Sequence, residues 1–314
     1  MIVHLDGKLL PADAARVSVF DRGFLFGDGI YEGLRAFDGH VAAIDRHIER
    51  MRQGLREADI PWDAAKLTPL TRELLDANRL SDAFIYWHVT RGTPNPDDPV
   101  RTRRPASPLS PTIFGFCTPT PPLDAYLPPN PPPSKTAVVM EDTRWLRGHI
   151  KAISLMGSVL NTLESIRAGA DDAVLVRNGL LAETTSANVL IATARPGGLT
   201  IATPSLSSVP ILAGVTRDLL LHEAARQGIA IEDRPVRASE LNEASEVIAV
   251  GTLTMITSIT RLGERVLCDG RPGPVAHRLL ALLVDAIRRD RGRLRHSPAR
   301  AGKSPPSPRP RTPP

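Results

Sequence analysis

The chain is poor in cysteine. Among its 314 residues only Cys117 and Cys268 carry a thiol. Two distant cysteines make neither a disulfide framework nor a metal cluster, so no metal site is expected, and a reducing cytoplasm fits them. No run of about 18 apolar residues is present, which leaves no candidate for a membrane-spanning helix. Residues 1–8 have no basic stretch ahead of a long apolar one and do not read as a secretory signal. No Gly-x-Gly-x-x-Gly follows a strand, which removes a dinucleotide-binding reading. No repeat recurs at the periods of solenoids or propellers. A mixed charge is missing from one region only. From Arg288 to Pro314 nine Lys and Arg face a single acid, Asp290, so a tail of charge +8 sits on a body of −3 within the total of +5. The basic total therefore says little about the body. The tail could touch nucleic acid or anionic lipid through charge alone, but its composition is that of a solvated extension, and no specific nucleic-acid partner is expected.

Proline is abundant, and unevenly so. Eleven of the thirty prolines lie between Pro105 and Pro133. Such a stretch cannot supply the backbone donors of a helix or central strand. Its end, 123–134, reads as a semi-rigid connector between a first domain, 1–122, and a second, 135–288, with a disordered tail over 289–314. In the first domain, residues 4–9 predict a strand with an Asp-Gly turn. Asp45 can cap a helix running to Ala58, with Ile48, Met51 and Leu55 on one face. Further expectations are a helix over 67–78 and strands over 83–90 and 113–116. In the second domain, strands are predicted over 136–140, 246–250 and 255–260, with helices over 157–168, 216–227 and 274–289. Asn178-Gly179 predicts a hairpin from 173–176 into one long strand, 180–192. Strands and helices intermingle without steady alternation, which favours an α+β fold in two domains over a doubly wound sheet.

Several residues suggest one chemistry when taken in order. Lys151 lies among apolar Ile150, Ile153, Leu155 and Met156, and a desolvated lysine can hold pyridoxal phosphate covalently. Glu183 follows the hairpin and could face the pyridine nitrogen. Asn188, five residues on, has odd spacing and should point to the opposite face, supporting the site or a turn. Gly214-Val215-Thr216-Arg217 opens a helix whose free amides, with the Thr216 hydroxyl, could grip a phosphate. Gly251-Thr252 could add another amide and hydroxyl, and Arg50 could pair with the dianion. Each feature alone is commonplace; the order carries the signal.

On these segments, together with residues 21–33, 47–50 and 246–252, the chain resembles the class IV pyridoxal-phosphate aminotransferases. That family includes branched-chain aminotransferases, D-amino-acid aminotransferases and aminodeoxychorismate lyases. The resemblance covers residues 1 to about 285. It implies a small α+β domain and a larger β-rich one, with the cofactor between them and a homodimer as the basic unit. It also implies that Lys151 holds the cofactor and moves the proton. Glu183 then becomes the pyridine-nitrogen partner, Arg50, Val215, Thr216 and Thr252 the phosphate binders, and Leu212 the side chain packed on the ring.

Residues 31–35, Tyr-Glu-Gly-Leu-Arg, resemble the branched-chain enzymes, and so do Gly251-Thr252-Leu253 and residues 270–274. On that likeness Tyr31, Arg35, Thr252 and Leu253 are expected around the substrate, and His88 is expected there with them. Transfer of the amino group of L-Leu, L-Ile or L-Val to 2-oxoglutarate follows. Residues 88–92, His-Val-Thr-Arg-Gly, instead look like the D-amino-acid enzymes, whose carboxylate-trapping Arg and His are replaced here by Pro96 and Asp98. Branched-chain enzymes often have Tyr where Met156 stands. D-amino-acid transamination and aminodeoxychorismate cleavage are thus the alternatives, with a non-catalytic nucleic-acid-binding module as the remote one.

Overall fold

The first sheet follows from alternation. Residues 83–90 switch between buried and half-buried positions, as a strand with one covered face should. The computed structural model describes residues 1–196 and 198–296. Among these the chain opens with β1 (Ile2–Leu5), β2 (Lys8–Pro11), α1 (Arg22–Phe26), β3 (Gly29–Phe37), β4 (His40–Val41), α2 (Ile44–Glu57), α3 (Leu67–Asn78), β5 (Ala83–Thr90) and β6 (Thr112–Pro119). The strands form a six-stranded sheet in the order β2-β1-β6-β5-β3-β4, with every pairing antiparallel. Helices α2 and α3 cover one face. Ile48, Met51, Leu55 and Leu74 pack there on Leu34, Ile85 and Trp87. The other face carries Tyr31, Gly33 and Arg35 of β3 opposite His88, Tyr86 and Phe84 of β5. These are the residues the second half of the chain has to meet.

The second half continues with β7 (Ser134–Glu141), α4 (Met156–Arg167), β8 (Asp172–Arg177), β9 (Leu180–Thr184), β10 (Asn188–Arg195), β11 (Gly198–Pro204), α5 (Val215–Arg226), β12 (Glu232–Arg234), β13 (Glu246–Gly251), β14 (Met255–Leu262), β15 (Arg265–Val266) and α6 (Pro274–His296). Its strands run β12-β11-β10-β13-β14-β7-β8-β9, and β15 joins β14. A bridge from Glu183 to Asn188 ties β9 back to β10, which closes part of this sheet into a ring. Val189, Ile191, Val247 and Ile259 lie in a core beneath it. On the opposite side α5 and α6 bury Leu220, Leu279 and Leu283 against Leu190, Ile248 and Ile256. The α+β class expected from the pattern is the observed one.

Three expectations need correction. The strand over 180–192 is two strands, because the backbone turns at residues 185–187, where the Thr184 amide donates to the Ala187 carbonyl at 2.7 Å. Asp45 does not cap α2. The cap is Ala43, in a left-handed conformation (φ 50°) and with its amide donating to Asp290 Oδ2 at 2.8 Å. Asp290 itself sits in α6, which runs to His296 past the expected end at Arg289, so 289–296 are helical. The remainder of the predicted tail, 297–314, lies outside the described residues. The proline-rich 123–134 stretch contains one 3-10 turn, Leu123–Tyr126.

Candidate active site

A cavity of about 710 Å³ lies between the two sheets, and Lys151 is in its wall. The lysine gets there by a backbone device. Residues 151–153 run along the free edge of β3: the Tyr31 amide donates to the Lys151 carbonyl (2.9 Å), and the Ile153 amide to the Gly29 carbonyl (3.0 Å). Alternation on β3 then places Tyr31 beside the lysine. Lys151 Nζ donates to the Tyr31 hydroxyl at 3.2 Å and lies 4.3 Å from its ring centroid. The other cations of the lining are held by carboxylates: Arg50 by Glu32, Arg144 by Asp142 and Glu183, Lys135 by Asp172. Among the described lining residues Lys151 is the one basic side chain with no ion pair.

Glu183 is buried. Burial pushes its pKa up, and the guanidinium of Arg144 works against that. Arg144 Nη1 donates to Glu183 Oε1 at 2.7 Å, while Oε2 accepts only long bonds from Asn188 Nδ2 (3.3 Å) and the Leu212 amide (3.4 Å). Asn188 therefore shares a face with Glu183, contrary to the odd-spacing expectation. The turn at 185–187 resets the alternation and makes the two residues cross-strand partners. Asn188 also donates to the Leu212 carbonyl at 3.0 Å, fixing the segment that leads into α5.

At that entry Gly214 is the cap, with no side chain closing the helix end. The amides of Val215 and Thr216 are thus left for an outside acceptor, at the positive end of the helix. The Thr216 and Thr252 hydroxyls lie 3.3 Å apart across the same corner. A side chain at Gly214 would displace Asn188, because a Cβ there would sit 1.9 Å from Asn188 Oδ1. Arg50 borders this corner and is already engaged. It gives two N–H groups to Glu32 at 2.7 Å and one to the Ala213 carbonyl at 3.0 Å. Two of its five N–H donors have no partner in these bonds. The buried Glu32 also accepts from His47 Nδ1 at 2.8 Å. Burial alone would raise the Glu32 pKa, but Arg50 and His47 outweigh it and hold it at about 2. Burial lowers the pKa of His47, so its ring donates as neutral imidazole.

Lys151, Arg50, Glu183, Leu212, Val215, Thr216, Thr252, Tyr31 and Leu253 all line the cavity; Arg35 and His88 do not. Arg35 is buried behind it, donating to the Leu253 carbonyl (3.1 Å) and the Tyr126 hydroxyl (2.7 Å), and so acts on the 251–254 turn from beneath. His88 lies beside Tyr86 with its ring nitrogen 3.4 Å from that hydroxyl, and burial lowers its pKa. Sequence reasoning missed Glu32 and Arg144. Glu32 had a signal: it shares a strand face with Ile30 and Leu34, and a carboxylate on an apolar face needs a cation. Arg144 had none for this site, because Glu183 is 39 residues away along the chain.

The residues fit pyridoxal phosphate. An amine without a counter-ion, a buried carboxylate and an uncapped helix start with two hydroxyls match its aldehyde, ring nitrogen and phosphate. Comparison with known proteins agrees. The family model of class IV aminotransferases matches residues 29–262. D-alanine aminotransferase of Bacillus licheniformis is 30% identical over 295 residues, covering 91% of this chain and 97% of the relative. A Methanocaldococcus jannaschii protein provisionally named branched-chain-amino-acid aminotransferase is 32% identical, covering 89% and 94%. The solved structure of branched-chain aminotransferase from the thermophilic archaeon Thermoproteus uzoniensis, with norvaline, shares the fold at a TM-score of 0.76. It is 24% identical and covers 92% of this chain and 97% of that one. The chain belongs to the class IV aminotransferases and is a pyridoxal-phosphate-dependent aminotransferase.

Proposed function

We propose that the enzyme transfers the amino group of apolar L-amino acids, with Leu, Ile and Val as the preferred donors, to 2-oxoglutarate. The supporting observation is the apolar part of the cavity's wall. Phe84, Trp145, Leu155, Val159 and Leu163 line the cavity with Lys151, and the lining arginines are neutralised by carboxylates. Such a wall favours an aliphatic side chain, though one methylene discriminates by only about 1–3 kcal/mol.

In this reading Val215, Thr216, Thr252 and Arg50 hold the phosphate, Leu212 packs on the ring, and Glu183 keeps a proton at the ring nitrogen. Bound pyridoxal phosphate supplies an electron-accepting ring. With the cofactor bound, Lys151 Nζ would take the proton from substrate Cα and deliver it to the cofactor's aldehyde carbon, and would run the same transfer in reverse when the second substrate is aminated. Tyr31 orients Nζ through its hydroxyl. The amides of the 251–254 turn receive the substrate carboxylate, and Arg35 steadies that turn through Leu253. Residues 156–166 present Met156, Val159, Leu160, Leu163 and Ile166 to solvent along one face of α4. Val159 and Leu163 of that face also line the cavity. A second copy packed there would complete the wall, so the proposed unit is a homodimer, acting in the cytoplasm.

D-alanine transamination is the second reading. It is supported by the 30% identity to the Bacillus licheniformis enzyme. A donor panel of L-Leu, D-Ala and aminodeoxychorismate, with 2-oxoglutarate as acceptor, separates the readings. The proposal expects the highest kcat/KM with L-Leu; a higher value with D-Ala overturns it.

A further inference from the structure

Four charged side chains form an unbroken line from the flank of the second sheet to the cavity. Arg177 Nη2 lies 3.1 Å from Asp142 Oδ2. Asp142 accepts from the Arg144 guanidinium twice, at 2.8 Å from Nε and 2.9 Å from Nη2, and once from its backbone amide at 3.1 Å. Arg144 Nη1 then reaches Glu183 Oε1 at 2.7 Å. Asp142, Arg177 and Glu183 are all buried. The Arg144 residue is held at its backbone and its stem as well. Its own carbonyl accepts from Arg177 Nη2 at 2.8 Å, and its Cγ lies against Gly157 at the start of α4, where a Cβ would come within 3.1 Å. Two arginines and two carboxylates balance, and the order is fixed by geometry.

This line bears on the proton that the proposed mechanism needs. A buried, unpaired glutamate favours its neutral form. A neutral Glu183 could not hold a proton on a ring nitrogen. An arginine committed wholly to Glu183 would have the opposite fault, making the carboxylate too weak a base. Here Asp142 takes two of the Arg144 guanidinium donors and Glu183 takes one.

Resting on the assignment of Glu183 to the ring nitrogen, we propose that Arg144, shared with Asp142, is the positioning residue that keeps Glu183 ionised and leaves its Oε2 to receive the pyridine N–H. Arg144 bonds to Oε1. Oε2 keeps only the two long contacts from Asn188 and Leu212, both cavity-lining residues, and so retains acceptor capacity. Arg144 acts through Glu183 and touches no reacting atom.

The test uses full-length protein loaded with pyridoxal phosphate. It follows cofactor absorbance against pH and measures cofactor Kd by dialysis. Arg144→Met should move the acid-side midpoint of the absorbance change upward by roughly one pH unit or more. Arg144→Lys, which keeps the charge, should return it toward the wild-type value. Asp142→Asn should move it downward, because Arg144 then serves Glu183 alone. A loaded Arg144→Met enzyme with the wild-type midpoint overturns the inference. If that variant does not fold, an Asp142→Asn midpoint that is unchanged or raised overturns it instead. Glu183→Gln separates the two levels. If it leaves spectrum and Kd untouched, the Glu183 assignment itself fails; if it changes both while Arg144→Met changes neither, only the role of Arg144 falls.

Discussion

Glu32 shows how one buried residue couples the cavity to the core. It stands at 0% exposure on β3, facing α2, and takes three charged or polar hydrogen bonds from Arg50 and His47. Its folded pKa, about 2, lies below its ordinary 4.5. The unfolded chain therefore binds the proton first as the solution is acidified. The stability from this group is full above about 4.5 and is lost as pH falls toward about 2. His47 works in the same sense at higher pH. Its pKa is lowered from 6.5, so protonation of the unfolded chain begins to cost stability below that value. Urea unfolding across pH 2–5 checks the first effect: Glu32→Gln should flatten the acid fall seen in the wild type. An equally steep fall in the variant would assign the acid sensitivity elsewhere. Lys151, Thr216 and Thr252 were legible in the sequence because their signal is local: an apolar neighbourhood, a helix start, a turn after a strand. Glu32, Arg144 and the true orientation of Asn188 depend on which strand lies beside which, and spacing along the chain carries no record of that.

Helix α2 makes the same point for whole elements. Its apolar stripe, Ile48, Met51 and Leu55, gives its existence and its buried face from sequence alone. Its starting residue does not follow from the local pattern. Asp45 has the chemistry of a cap, yet the turn is set by Asp290 of α6, which accepts from the Ala43 amide and from His40 Nε2, both at 2.8 Å. Asp290→Ala should cost roughly 1–3 kcal/mol, the desolvation of donors left without partners. It should do so without changing cofactor affinity, since none of these groups lines the cavity. Denaturant unfolding of the two proteins measures the difference. A variant as stable as the wild type would show that α2 starts without help from α6. Helix α3 and strand β5, by contrast, begin and end where the sequence predicts. The strand over 180–192 fails for a related reason. Its apolar residues, 180–182 and 189–192, are separated by Glu183-Thr184-Thr185-Ser186, and the side chains of Thr184 and Asp172 bond the amides of 185–187 and stabilise a turn there.

At the scale of the molecule, the two sheets meet across a cavity that neither could enclose alone. Tyr31, Phe84 and Arg50 come from the first; Lys151, Glu183, Thr216 and Thr252 come from residues after the proline-rich stretch. Val159 and Leu163 of α4 line this cavity, and the apolar face they share continues to Met156 and Ile166, which are 69% and 60% exposed. Contiguous exposed apolar surface of this kind marks an association site. Light scattering at micromolar concentration should give a dimer mass, and Leu160→Lys with Ile166→Glu should convert it to monomer. A wild-type monomer would contradict the proposed unit.

Lys151 is the proposed point of attachment of the cofactor, and chemical labelling tests that assignment directly. Protein loaded with pyridoxal phosphate, reduced with borohydride and mapped peptide by peptide should carry the pyridoxyl group on the peptide containing Lys151. Lys151→Ala treated in the same way should carry none. A pyridoxyl group fixed to Lys135 or any other lysine, or one retained in the Lys151→Ala protein, would contradict it.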